Sequence, residues 1–172
     1  MSTATPTLDR GGPRPVPSSF DEVRRPSADD WESIVAILRH YNFQNIGGPE
    51  MPRFPLEDCF VAVSGGRVVG VAGYEVLDAV TAKHSLTAVL PELRNRGIGT
   101  ALKRACFDYL RGRGVKQVFT NCDDPLVIGW NVQRFGFRPT GKRITKLEPY
   151  GRPDKDHWVN LVLDLSDPRL YK

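Results

Sequence analysis

The sequence predicts an α/β (α+β) fold in which a mixed, mostly antiparallel sheet is flanked by helices. Three observations carry this expectation. Ile98, Ala101, Leu102, Ala105, Cys106, Tyr109 and Leu110 recur at three- and four-residue steps, the period of an amphipathic helix. That helix lies between two apolar runs, Lys83 to Leu90 and Val115 to Asn121, so the strand–helix–strand unit closes as a right-handed parallel crossover. Earlier in the chain, Gly65-Gly66 separates strand patterns over residues 58–64 and 67–77, a two-residue hairpin signal.

Taken in order, residues 1–19 are rich in Ser, Thr, Gly and Pro and predict a disordered tail, leaving residues 20–172 as one domain. Phe20 to Arg25 reads as a short edge strand. Ser27 is placed as a helix N-cap with Asp29 and Asp30 in the first turn, where the helix dipole favours acids. Trp31, Ile34, Val35 and Leu38 extend that helix to about His40. Asn42 to Leu56 contains Gly47-Gly48-Pro49 and two further prolines and predicts a loop. The helix after Gly97 leaves Lys103, Arg104 and Asp108 outside its apolar stripe and stops at Gly112 and Gly114. Asp123 and Asp124 read as capping residues for a helix opened by Pro125 and stopped by Gly136. Arg138 to Leu147 and Trp158 to Leu165 complete the strands.

Composition narrows the class. Of 172 residues, 40% are hydrophobic and 26% charged, ordinary for a soluble globular domain. No apolar run is long enough to cross a bilayer, and the N-terminus carries no signal-peptide core, so no membrane partner is expected. Three cysteines without a Cys-x-x-Cys pair fit a reducing, cytoplasmic setting. The net charge of +4 is spread along the chain with no dense basic block, so duplex nucleic acid is not an expected partner. A polyanionic ligand accounts for part of the basicity.

One turn is chemically specific. Val89-Leu90-Pro91-Glu92-Leu93 leads into Arg94-Asn95-Arg96-Gly97-Ile98-Gly99-Thr100, where a strand ends and a helix begins. Backbone N–H groups, a helix N-terminus and two arginines converge there, an arrangement suited to phosphate. A dinucleotide-binding turn needs a third glycine where Leu102 stands, and an ATP loop needs a lysine before Thr100. An ordinary strand-to-helix turn using glycine for positive φ is the competing reading.

The segment Arg94-Asn95-Arg96-Gly97-Ile98-Gly99 resembles the acyl-CoA-binding signature of the GNAT N-acetyltransferase superfamily, Arg/Gln-x-x-Gly-x-Gly/Ala. Element order resembles that family over roughly residues 20 to 166. The resemblance implies a GNAT fold in which the parallel strand pair around the helix splays apart to admit CoA. It places the pyrophosphate on the 94–100 turn and the pantetheine arm along Ala88, Val89 and Leu90, added as a strand would be. The family's Tyr-Glu-Lys-Leu-Gly-Phe segment corresponds to Val132-Gln133-Arg134-Phe135-Gly136-Phe137, with Val132 where the tyrosine that protonates the leaving thiolate usually stands.

The function this implies is a GNAT-type N-acetyltransferase: an acyl group, acetyl by default, passes from CoA to a primary amine of a small molecule by direct attack on the thioester. Acetyl-CoA is the donor, and no metal is expected. A carrier-protein or aminoacyl-tRNA donor, or a non-catalytic acyl-CoA-binding module, is the alternative, and a homodimer is compatible with the chain. Asn131 is read either as a ligand of the thioester or as a helix-surface residue. Glu75, His84 and His157 are candidate bases, and Tyr74 a residue that holds the acceptor; a solvated or structural strand residue is the favoured reading of each alone, with at least one expected to be functional. Acceptor specificity is assigned to Tyr41 to Leu56, the hairpin, and Glu148 to His157.

Overall fold

The computed structural model describes residues 20–41, 55–147 and 151–167. The expected tail and most of the expected 42–56 loop lie outside the described residues. Seven strands form one sheet: β1 (Glu22–Arg24), β2 (Cys59–Ser64), β3 (Arg67–Val76), β4 (Thr81–Val89), β5 (Gln117–Cys122), β6 (Arg138–Thr145) and β7 (His157–Asp164). Their spatial order is β1-β2-β3-β4-β5-β7-β6. Every pairing is antiparallel except β4 with β5.

The helices are α1 (Trp31–Arg39), α2 (Ile98–Gly112) and α3 (Pro125–Trp130), the last continuing as a π-helical turn over Asn131–Phe135. α1 packs on β3 and β4, and α2 across β2, β3 and β4. The expected start of α1 is shifted: a 3-10 turn over Ala28–Asp30 precedes it. Asp30 holds that turn, accepting from the Ser27 N–H at 2.7 Å and the Arg24 guanidinium at 2.7 Å. The Arg24 bond is the chief reason its carboxyl falls to about 2.

Ile98, Leu102, Cys106, Phe107 and Leu110 of α2 form the centre of the core with Val61, Val71 and Val118 from the sheet. α2 lies close on β3 because Gly70 has no side chain: a Cβ there would stand 2.9 Å from Leu102 Cδ1 and 3.1 Å from Ile98 Cγ2. The expected exposure of Lys103 is overturned. It is only 3% exposed, since the end of α3, the π-turn and the residues leading to β6 cover a second side of α2 with Trp130, Phe135 and Phe137. The apolar stripe read from the sequence describes contact with the sheet alone, and a second covering element widens the buried face.

Two irregularities prepare a cleft. β4 and β5 pair only through Thr81↔Gln117, Ala82↔Val118 and Lys83↔Phe119. Beyond Thr120, whose hydroxyl donates to the His84 carbonyl at 3.0 Å, the strands diverge. On its other side β4 carries one extra residue: Gly73 pairs with Leu86 but Tyr74 with His84, leaving Ser85 as a bulge. The bulge changes the alternation, so that His84 and Thr87 lie within hydrogen-bond reach of one another.

Candidate functional site

The divergence opens a cleft of about 800 Å³. One wall is the edge of β4 from Ser85 to Val89, the other Thr120 to Asp124 of β5 and the loop after it, and Trp130 lies between them. In an antiparallel ladder alternate residues turn their backbone groups to the neighbouring strand. Leu90 donates to Val69 O of β3 at 2.9 Å, so Val89 and Thr87 direct their backbone groups the opposite way, into the split. No strand pairs with that edge among the described residues. The arrangement is an unfilled place for one more strand.

The glycine turn closes one end. Pro91–Leu93 forms a 3-10 turn, Asn95 takes φ 61° and Gly97 takes φ 83° as the N-cap of α2. The first intrahelical bond is Ala101 N–H to Gly97 O at 3.0 Å, which leaves the amides of Ile98, Gly99 and Thr100 without a partner inside the helix. A Cβ on Gly99 would sit 3.5 Å from the Trp130 ring and 3.6 Å from Thr87, so this glycine keeps the cleft floor open. Arg94 is oriented by Tyr41: its Nε donates to the Tyr41 hydroxyl at 2.8 Å, its guanidinium lies 4.8 Å from that ring, and the hydroxyl in turn donates to Val89 O.

Of the residues assigned to the donor from sequence, Val89, Arg94, Asn95, Gly97, Ile98, Gly99 and Thr100 line the cleft. Ala88 and Leu90 do not. Arg96 is exposed outside the lining.

Behind the cleft wall sits a polar layer that the sequence did not announce. Lys103 Nζ donates to Asn131 Oδ1, and Asn131 Nδ2 lies 3.3 Å from Cys122 Sγ. The Lys103 ammonium is surrounded by the rings of Trp130, Phe135 and Phe137 at 4.9, 5.4 and 5.6 Å. Burial pulls it down to about 8. Asn131 is 0% exposed, so its reading as a helix-surface residue is overturned; the π-turn directs it inward, and it meets the cleft only through Cys122. His84 is likewise buried, its ring 5.7 Å from Phe107 and its Nε2 3.1 Å from the cleft-lining Thr87 hydroxyl. Burial first, and the Lys103 charge second, hold its imidazole well below 6.5.

The structure does not bring Glu75 or His157 to the cleft. Glu75 lies opposite Lys83 on the β3–β4 pair. His157 contacts Asp156 at 2.8 Å and Arg143 at 2.7 Å, while Trp158, on the other face of β7, lines the cleft. Tyr74 is 3% exposed and packs on Tyr109 rather than facing an acceptor.

Asp124 accepts from Leu126 N–H at 2.8 Å and caps α3 as expected, but Asp123 does not. Its carboxylate pairs with Lys146 at 2.7 Å and accepts the Arg152 N–H at 2.7 Å, fastening residues 151–152 onto the cleft rim. Gly151 has φ 61°, and a Cβ there would fall 2.4 Å from Asp123 Oδ2. Gly151→Ala is therefore expected to release this rim. The buried Lys146–Asp123 pair would open and cost roughly 1–3 kcal/mol, seen as a lower Tm and faster amide exchange at residues 151–156.

Lys103 makes a second prediction. Its folded-state value near 8 lies below its ordinary 10.5, so between these values the unfolded chain binds the extra proton and folding stability rises with pH. This contribution is complete above 10.5 and lost as pH falls through 8. The stability difference between wild type and Lys103→Met, followed by urea unfolding from pH 7 to 10.5, isolates it. Subtraction is needed because burial pushes the Cys59 and Cys106 thiols up to about 12, which acts in the opposite direction at high pH.

Among the described residues no group of His, Cys, Asp and Glu converges as a metal requires, and no helix is long and apolar enough to cross a membrane.

The model of the acetyltransferase (GNAT) family matches residues 24–137. No curated protein matches the chain in sequence. Among solved structures, N-acetylglutamate synthase from Neisseria gonorrhoeae, complexed with coenzyme A and N-acetyl-glutamate, is similar with a TM-score of 0.65 at 21% identity. That match covers 84% of this chain but 35% of the Neisseria enzyme, so this chain spans only a part of it. Ard1 from Thermoplasma volcanium is similar with a TM-score of 0.66 at 22% identity, over 83% of this chain and 96% of that one. The ribosomal-protein-S18-alanine N-acetyltransferase from Escherichia coli has a TM-score of 0.64 at 18% identity, over 84% and 93% of the two chains. Identities this low speak for the fold.

Proposed function

The chain belongs to the GNAT acetyltransferase family, and from that premise we propose that it is an N-acyltransferase carrying an acyl group, acetyl by default, from CoA to a primary amine of a small molecule. The observation that carries this reading is the unpaired β4 edge running directly into the Arg94–Thr100 turn. Pantetheine is an extended chain with two amides. It would pair with the backbone of Thr87 and Val89 as an added strand, with its pyrophosphate at the amides of Ile98 to Thr100. Neither contact demands particular side chains on β4. Solved relatives of this fold bind CoA, as the Neisseria enzyme does.

The amine attacks the thioester carbonyl, and a backbone N–H on the unpaired β4 edge would stabilise the oxyanion. His84 stays neutral in its buried position and hydrogen-bonds the hydroxyl of the cleft-lining Thr87. A primary ammonium with an ordinary value of about 10.4 loses its proton to water before attack.

Calorimetric titration with CoA and acetyl-CoA, followed by thiol release over a panel of amines, tests the proposal. Micromolar CoA binding and amine-dependent thiol release are the expected results. Absence of both defeats the CoA reading. Turnover only with an acyl-carrier protein or charged tRNA would move the donor to those molecules.

A further inference from the structure

The cleft wall contains one group that joins the split to a buried cation. Tyr41, Ser85, Thr87, Thr100, Thr120 and Cys122 are the hydroxyl- and thiol-bearing residues that line the cleft. Among them, the Cys122 thiol is the one held by the Asn131 carboxamide, whose other end holds the Lys103 ammonium. Burying Lys103 within three aromatic rings is expensive, and no carboxylate among the described residues bonds its ammonium. A packing role would be filled better by leucine or methionine.

We propose that Cys122 protonates the departing CoA sulfur and that Lys103, held by Asn131, stabilises the Cys122 thiolate that this leaves. This rests on the acyltransferase reading above. In the step, the tetrahedral adduct collapses and its carbon–sulfur bond breaks, with the electron pair going to the CoA sulfur. The Cys122 S–H proton moves to that sulfur while the adduct nitrogen releases its extra proton to water, leaving a Cys122 thiolate that the Asn131 N–H and the nearby Lys103 charge stabilise. The products are amide, CoA thiol and a Cys122 thiolate, which regains its proton from water, while Lys103 stays an ammonium throughout. Cys122 is the catalytic residue; Lys103 and Asn131 act through it and are positioning residues.

The surroundings support this division. Lys103 faces His84 from β4, Cys106 from its own helix, Cys122 from β5, and Asn131 with the three rings from the α3 end. Burial pushes the Cys122 thiol up, so it holds its proton near neutral pH, and the Lys103 charge opposes that rise. With a value near 8, Lys103 carries its charge at neutral pH and loses it at mildly basic pH.

The experiment compares wild type, Cys122→Ala, Cys122→Ser and Lys103→Met in thiol release with acetyl-CoA across pH 6 to 10, with CoA affinity measured by calorimetry. Cys122→Ala should lower kcat about 100-fold, at the low end of general acid catalysis, with CoA affinity within about twofold. Cys122→Ser keeps a small hydrogen-bonding group, but an alcohol is far too weak an acid to replace the thiol, so kcat should fall as in Cys122→Ala with CoA binding retained. Wild-type kcat should fall through a basic limb near 8, where Lys103 loses its proton, and Lys103→Met should remove that limb. Full kcat in Cys122→Ala, or an unchanged basic limb in Lys103→Met, overturns the proposal. Folded variants are recognised by retained CoA binding, and Cys122→Ser decides the matter if the alanine variant does not fold. A wild type that neither binds CoA nor releases thiol would instead defeat the underlying acyltransferase reading, before any variant is compared.

Discussion

Gly97→Glu is expected to weaken CoA binding at least about 100-fold, equivalent to about 2.7 kcal/mol, while leaving a folded protein. Two effects add. Gly97 has φ 83°, so any L side chain there costs roughly 1–2 kcal/mol. The larger effect is electrostatic: a carboxylate at the N-cap of α2 occupies the field that the unpaired amides offer to a pyrophosphate. Nothing lies within 4 Å of a Cβ at this position, so the substitution does not break packing and the protein should remain folded. Gly97→Asn separates the terms, since asparagine tolerates the left-handed conformation and brings no charge. It should bind CoA within about tenfold of wild type while Gly97→Glu does not. Equal affinity of wild type and Gly97→Glu in calorimetry would remove the phosphate from this turn.

Gly70→Val is expected to produce the largest loss of stability. Its Cβ alone would stand 2.9 Å from Leu102 and 3.1 Å from Ile98, and the Ala88 carbonyl at 3.3 Å closes the third side. Leu102 and Ile98 are 0% and 1% exposed, so neither has solvent to move into. Relief requires α2 to lift from β3. Overpacking of this kind costs about 3 kcal/mol, and a domain of this size loses about 2–4 °C in Tm for each kcal/mol, so Tm should fall by on the order of 10 °C. Lifting α2 also moves its first turn, which begins at Ile98, so CoA affinity should drop in the same variant. A thermal scan with and without CoA reads both effects. Gly70→Ala should fall between wild type and valine. A Tm unchanged in Gly70→Val would show that α2 does not rest on β3 as described.

Comparison of particular elements explains which parts of the molecule were legible in the chain. α2, the Gly65-Gly66 hairpin and the α3 cap at Asp124 are set by residues adjacent in sequence, and each appears within a few residues of its expected place. The parallel β4–β5 pair was expected from the handedness of strand–helix–strand units and is present. Lys103 shows where this reasoning stops. Its position on the polar side of the helical period is correct, but the period says nothing about a second element that covers that side. Asn131 was equally hidden, because its inward direction depends on the π-turn that follows α3. Asp123 looked like a cap beside Asp124, and only the return of residues 151–152 to the cleft rim supplied its partner. For Glu75 and His157, residue type suggested chemistry, but strand register places them away from the cleft.

By itself the sequence determined the Arg94–Thr100 turn, the helix behind it and the family they belong to. A glycine spacing and a helix N-terminus act through the backbone of a few consecutive residues, so their geometry is encoded where they stand. The tertiary structure alone decided that β4 and β5 separate after Lys83, and that Lys103, Asn131 and Cys122 meet behind the cleft. Those three residues come from a helix, a π-turn and a strand, and their contact depends on burial from several directions at once. Local periodicity cannot carry that information; only the closed packing of α2, α3 and the sheet supplies it.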